Sequence, residues 1–196
     1  MDILIFGSPD LARWVERPFV DTTRTGREFD DTYERDVATE PPGAPGAVFR
    51  AVERAIRVYS IFPPAIVRGV RAHERPIEPG DVVGVHFVRF APLRLFFCAR
   101  VVDVFDRVDP DGTWHRAGFT YRTLVGHPEL GEETFAVEKE LATGRVRVAL
   151  RSWSRPGTVL AKVFLPFVRR MQVSASRRSL DHLQAVASSS QSSKPA

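Results

Sequence analysis

One cysteine, Cys98, stands in a chain of 196 residues. A lone thiol excludes an intrachain disulfide, and its place inside an apolar run predicts a small buried side chain in a cytoplasmic protein. Long hydrophobic runs are also missing. The most apolar segment, residues 87–105, is broken by Arg89, Arg94, Arg100 and Asp103, and charge at that density is incompatible with a membrane span. The opening MDILIF has no basic lead and stops at Gly7-Ser8-Pro9-Asp10, so no export is expected. There is no Walker-type phosphate loop, dinucleotide fingerprint or Cys/His zinc spacing, so neither a cofactor nor a metal is expected. Lysine is scarce, and the basic residues are nearly all arginine. A net charge of +4 and an isoelectric point near 9.7 raise the question of nucleic acid, but the arginines are scattered among carboxylates and apolar positions. A nucleic-acid footprint concentrates in one stripe with aromatic platforms, so this pattern argues against such a partner.

What is present fits one soluble domain: 43% hydrophobic and 27% charged residues over 196 positions. Residues 1–46 form a polar lead-in that ends in the breaker cluster Pro41-Pro42-Gly43-Ala44-Pro45-Gly46; a short helix over 11–19 is the one element expected there. Val48, Phe49, Val52, Ala55, Ile56 and Tyr59 recur at spacings of three and four and predict an amphipathic helix over 47–60. From there the period becomes two. Segments 81–90, 93–107, 113–125, 132–141 and 145–153 are β-branched and aromatic runs parted by Pro, Gly and Asp, the pattern of an antiparallel meander with one apolar face. Leu160, Val163, Phe164, Phe167, Val168 and Met171, continued by Leu180, Leu183 and Val186, make a helical stripe to cover that face. Pro166 falls inside the stripe and predicts a kink or two abutting helices. Residues 188–196, SSSQSSKPA, are low-complexity and expected to be a disordered tail. The fold class is therefore α+β: a curved antiparallel sheet wrapping a long C-terminal helix, the element order of helix-grip, START-like folds, with the domain spanning 47–187.

The run Gly118 to Glu138, GFTYRTLVGHPELGEETFAVE, is followed by Ser154-Arg155-Pro156 and by Pro166, Arg169, Arg170, Gln172 and Arg178. These residues match a pattern of the form GFxYxTLxGHPExGEExFxVE, then SRP and a basic C-terminal helix, and the chain so resembles the DUF1990 family over roughly residues 47–187. Two features depart from that pattern: the aromatic strand Leu95 to Asp106, where a glycine-rich connection is usual, and Ser179, where a tyrosine is usual. The resemblance implies a helix-grip-like fold and no established activity, substrate or cofactor.

The run also concentrates chemistry. His127, Glu129, Glu132 and Glu133 lie within seven positions and are chemically able to hold a divalent ion or to exchange protons. Their spacing is not that of a helical metalloprotease site, and no third strong ligand is supplied. Read as a hairpin tip, with Pro128 extending the chain and Gly131 making a left-handed turn, His127 faces Glu132, while Glu132 or Glu133 takes turn amides or pairs with Arg155. Tyr121, Thr123, His86 and Ser152 to Arg155 could line a pocket between sheet and helix; Arg155 could meet a ligand's acidic head group, and Ser154 stands near the start of the helix as a cap. No histidine lies near Ser152 or Ser154 in sequence, so a nucleophilic triad has no support there.

The preferred functional expectation is a non-enzymatic protein that binds a small apolar or amphipathic molecule between sheet and C-terminal helix. It is motivated by Phe87, Phe90, Phe96, Phe97, Phe119 and Phe135 with few convergent polar groups. Tyr121, Thr123, His127, Arg155, Phe119 and Phe135 are the candidate ligand-binding residues. Two alternatives stand beside it: a hydrolase or lyase using His127, Glu132, Glu133 and Arg155, and an interaction module presenting Arg169 to Arg178 to an anionic partner.

Overall fold

The computed structural model of the chain describes residues 2–4, 10–26, 28–63, 67–87, 94–157 and 165–192. Over these residues the chain forms β1 (Asp2–Leu4), α1 (Ala12–Val15), β2 (Phe29–Thr39), α2 (Ala47–Arg57), β3 (Val67–Arg71), β4 (Val82–Phe87), β5 (Arg94–Val108), β6 (Trp114–Thr123), β7 (Glu129–Glu140), β8 (Arg145–Pro156) and α3 (Leu165–Ser192). The strands form one antiparallel sheet in the order β2-β8-β7-β6-β5-β4-β3, with β1 paired to the start of β5. No helix among the described residues is long and apolar enough to cross a membrane.

The five expected strands are all present, and their period-two alternation separates two faces. Ala117, Phe119, Tyr121, Phe135, Val137, Val146, Val148 and Leu150 are buried on the concave face together with α2 and with Leu180, Leu183 and Ala187 of α3. The opposite face has its own small core, in which Trp14 from α1 covers Val82, Phe96, Cys98 and Leu124, and the cysteine is buried as its sequence context predicts. The sheet bends where β6 and β7 carry glycine. A Cβ on Gly118 would lie 2.0 Å from the Phe135 carbonyl oxygen, and one on Gly131 2.0 Å from that of Trp153, an approach only glycine permits.

Three expectations are corrected. The lead-in contains an eleven-residue edge strand, β2, paired along its length with β8; charged residues at inward positions hide its alternation, because Asp31 meets Arg169 and Arg35 meets Asp181, both on α3. α1 is only four residues long. α3 is described from Leu165 onward, so the stretch before Pro166 on which the expected kink or pair of abutting helices depends lies outside the described residues, as do Leu160, Val163, Phe164 and Phe90. The expected tail is helical through Ser192, with Ser188 and Ser189 donating to the carbonyls of Gln184 (3.0 Å) and Ala185 (2.9 Å).

A buried ion pair locks the start of α2 to the sheet. Lys139, wholly inaccessible on β7, donates to Glu40 Oε2 (3.1 Å) and to the carbonyls of Pro41 (2.9 Å) and Ala44 (2.7 Å). Glu40 in turn accepts the amides of Gly46 (2.8 Å), Val48 (2.8 Å) and Phe49 (3.1 Å), the unpaired donors of the α2 N-terminus. The breaker cluster is thereby folded around one carboxylate. Burial alone raises the Glu40 carboxyl, but the amides and Lys139 outweigh it and hold it below its ordinary 4.5. A depressed carboxyl contributes stability that is complete above about pH 4.5 and lost as pH falls through the lower folded value. Glu40→Ala, which leaves the Lys139 ammonium buried without a counter-charge, is expected to cost about 3–5 kcal/mol in urea unfolding at pH 7; a loss under about 1 kcal/mol would show that the pair is not the tie described.

Candidate functional site

On β6 and β7 the residues opposite one another are Phe119 and Phe135, then Tyr121 and Glu133, then Arg122 and Glu132. Side chains alternate between faces, so Tyr121 and Glu133 share the concave face with Phe119 and Phe135. There the Tyr121 hydroxyl donates to Glu133 Oε2 at 2.6 Å. Phe119, Tyr121 and Phe135 form an aromatic floor with ring centroids 5.4–6.4 Å apart, and Tyr59 at the end of α2 adds a fourth ring 6.0 Å from Phe119.

Tyr59 is held in an unusual way. It is the one described residue other than glycine with a positive φ, 59°, a conformation costing a bulky side chain about 1–3 kcal/mol. Its ring fits because residue 69 on β3 is glycine, where a Cβ would lie 2.7 Å from Tyr59 Cδ1. Its hydroxyl is buried and meets no hydrogen-bond partner. It lies within electrostatic reach of both Glu133 and Tyr121. Tyr33 of β2 also feels the Glu133 charge, so all three tyrosines of the chain lie within the field of one carboxyl, and Tyr121 contacts it.

Glu129 enters the same cluster from the start of β7. It and Glu133 are half-buried by surface but enclosed by protein on the concave side. Burial pushes each carboxyl up to about 7, with Glu133 adding to the rise at Glu129 and Asp31 to the rise at both; the field of Arg169 pulls Glu129 the other way, as the Tyr121 hydrogen bond does Glu133. Asp31 is itself paired with Arg169, which also donates to Gln172 (2.8 Å), and Gln172 donates to Ser154 Oγ (3.3 Å). Ser154 thus ties sheet to α3 through Gln172 rather than by capping the helix.

The other sequence candidates lie elsewhere. The hairpin turn falls at residues 124–128, with its positive φ at Gly126 rather than Gly131, so the carboxylates stand on the strand and His127 does not face Glu132. The His127 ring is buried edge-on to Phe97, 4.5 Å between centroids, with Nδ1 3.1 Å from the Glu129 amide nitrogen and 2.8 Å from its carbonyl. Burial lowers its pKa to about 3, so the imidazole is neutral at physiological pH. Thr123 is spent on both backbone groups of Gly131. Glu132 and Arg155 point to the convex face: Glu132 pairs with Arg122 at 2.7 Å and meets Trp153 Nε1 at 3.4 Å, and Arg155 reaches the Asp21 carbonyl (3.3 Å) and carboxylate (3.7 Å) rather than either glutamate. His86 stands against Phe96 on that face. Of the four residues in the hydrolase or lyase expectation, only Glu133 belongs to the concave cluster. Among the described residues no three His, Cys, Asp or Glu side chains group as metal ligands. Sequence reading missed Tyr59, Tyr33, Glu129 as a concave residue, and the Asp31–Arg169 pair. Extending the β7 alternation back from Phe135 through Glu133 and Gly131 finds Glu129; nothing in the local pattern announces Tyr59.

Residues 18–182 match the family described as a domain of unknown function, DUF1990, and the chain belongs to that family. No curated protein sequence matches it. Among solved structures it is similar to the hypothetical protein jhp0584 from Helicobacter pylori, with 14% identity, 90% of this chain and 93% of that one covered, and a TM-score of 0.51. It is also similar to the di-domain ARO/CYC StfQ of the steffimycin biosynthetic pathway, with 14% identity, 84% of this chain and 52% of that one covered, and a TM-score of 0.51. These likenesses concern the fold alone, a helix grip of curved antiparallel sheet and C-terminal helix.

A carboxyl that protonates near 7 when folded and near its ordinary 4.5 when unfolded makes the folded chain bind more protons in that window, so stability declines as pH rises through it. Glu133→Gln keeps an acceptor for Tyr121 and removes the ionisation. It is expected to equal the parent protein near pH 5 and to exceed it by about 1–3 kcal/mol at pH 8 in chemical unfolding; a difference independent of pH would contradict the raised carboxyl.

Proposed function

We propose that the protein binds one small amphipathic molecule in the hollow between the concave face and α3, with its apolar part on the floor of Phe119, Tyr121 and Phe135 and its polar end at Glu133, Tyr121 and Tyr59. The observation that carries this reading is the Tyr59 hydroxyl, buried on a residue that is 4% exposed and without a hydrogen-bond partner. An unsatisfied buried hydroxyl costs about 1–3 kcal/mol, and here the backbone is strained as well to hold it beside a carboxyl that burial keeps near neutrality. Strain and an unmet polar group together are the mark of a place organised for something that arrives. Glu129, Glu133 and Ser152 on the concave face are only half-buried, whereas Phe119 and Phe135 are wholly covered within the core, so the ligand enters at the glutamates and reaches the rings by displacing what packs on them.

A reaction run by His127, Glu132, Glu133 and Arg155 finds no support in this geometry, because two of the four face the other side of the sheet. The anionic-partner reading loses Arg169, which is committed to Asp31.

Native mass spectrometry of the chain purified from its own cells is expected to show a non-covalent adduct of one small molecule, lost on denaturation. Ser152→Phe, placed opposite Glu133 and Asp31 on the concave face, should fill the hollow and abolish the adduct while leaving the fold intact by circular dichroism. A parent protein that carries no adduct and takes up no aliphatic or aromatic amphiphile in titration would overturn the reading.

A further inference from the structure

The polar end of the hollow has an imbalance of charge. Asp31 from β2 and Glu129 and Glu133 from β7 face it, with the hydroxyls of Tyr33, Tyr59 and Tyr121. Of the cations on α3, Arg169 is used by Asp31 and Gln172, and Arg177 is exposed and reaches Tyr33 only through its field. Among the described residues neither Glu129 nor Glu133 has an ion-pair partner; the contact to the Glu133 carboxyl is the Tyr121 hydroxyl. Two enclosed carboxyls without a counter-ion are costly to ionise. The unmet Tyr59 hydroxyl, which shares their field, is an independent sign that a group is missing from this place.

We propose that the molecule bound in this hollow carries a protonated amine at its polar end, held between the carboxyls of Glu129 and Glu133 and against the rings of Tyr59 and Tyr121. The inference rests on the hollow being a binding site, and it adds the chemical class of the ligand. An ammonium supplies a direct counter-charge to both glutamates, of which Glu129 feels only the field of Arg169 and Glu133 has no ion-pair partner among the described residues. It gains further from aromatic faces in a desolvated setting. The remainder of the molecule packs toward the rings of Phe119 and Phe135, which are covered by core side chains in the unliganded chain. The whole-chain charge of +4 acts in the opposite sense: general attraction favours an anionic ligand, so a preference for an amine can arise only from these local carboxyls.

Both glutamates protonate near 7 when no cation is present, so amine binding releases protons and weakens as pH falls from 8 to 5.5. The other groups facing the site are Asp31, Arg169 and Arg177; the tyrosine hydroxyls, pushed up by burial, stay neutral across this range, and the neighbouring His127 stays uncharged.

Three probes with the same chain separate the outcomes: decylamine, decanol and decanoate, titrated calorimetrically into the full-length protein at pH 8 below their micelle concentrations. Decylamine is expected to bind about tenfold or more tighter than either of the others. In the Glu129→Gln/Glu133→Gln double variant that preference should vanish while decanol binds as before, which also reports an intact hollow. Decanol or decanoate binding the parent protein as tightly as decylamine would overturn the amine while leaving the hollow as a binding site. A preference that survives in the double variant would overturn it equally. Failure of all three probes would remove the binding site itself, and the amine with it.

Discussion

The Lys139 ammonium, with no water contact at all, is the constraint on which the placement of the rest depends. A buried ammonium requires a counter-charge and acceptors, and it draws in Glu40, the carbonyls of Pro41 and Ala44, and through Glu40 the first amides of α2. The continuous stretch from the end of β2 through the breaker loop to the start of α2 is thereby held to the end of β7, 99 residues further along the chain. α2 starts there and Tyr59 follows two residues after its last, Arg57, so the ring beside Phe119 is positioned by an ion pair at the opposite end of the helix that precedes it. The bend of the sheet at Gly118 and Gly131 supplies the concave surface that this helix and α3 cover.

The convex face shows how a basic chain uses its arginines internally. Glu138 is wholly buried among the guanidiniums of Arg116, Arg147 and Arg151, with Arg147 Nε at 2.7 Å and Arg151 Nη1 at 2.6 Å. Burial is the largest single influence on its carboxyl and raises it, but the three cations together hold it below its ordinary value. Arg147 and Arg151 continue to Glu34 on the edge strand at 2.9 and 2.6 Å. Ladders of this kind consume the cations that the isoelectric point would otherwise offer to a polyanion. The contrast with the concave side is sharp: three cations contact one carboxylate on the outside, whereas within, among the described residues, no cation contacts Glu129 or Glu133 and Glu129 feels Arg169 only through its field.

Much of this was legible from residue order because apolar alternation is a strong signal where one face is packed. β5 to β8 carry it, and they were found. β2 was missed since Asp31 and Arg35 occupy inward positions and are neutralised by partners on α3, which lie more than a hundred residues away and leave no trace in a local window. Within the candidate site, Tyr121, Glu133, Phe119 and Phe135 were readable by phase. Glu132 and Arg155 were misgrouped with them although neighbours on a strand face opposite ways; phase counted from Phe135 would have separated them. Tyr59 registers in sequence only as the last apolar position of a helix, and its role depends on a left-handed backbone and on the space left by Gly69, neither of which periodicity encodes.

The central claim is that two enclosed carboxyls beside three tyrosines are held near neutrality on the concave face. Carbon-detected NMR titration of the glutamate side-chain carboxyls measures it directly. Two glutamates, Glu129 and Glu133, are predicted to titrate at about 7, and Tyr121→Phe, by deleting the hydrogen bond that favours the ionised form, should move Glu133 higher still. Titration of every glutamate to completion below about pH 5.5 would contradict the account.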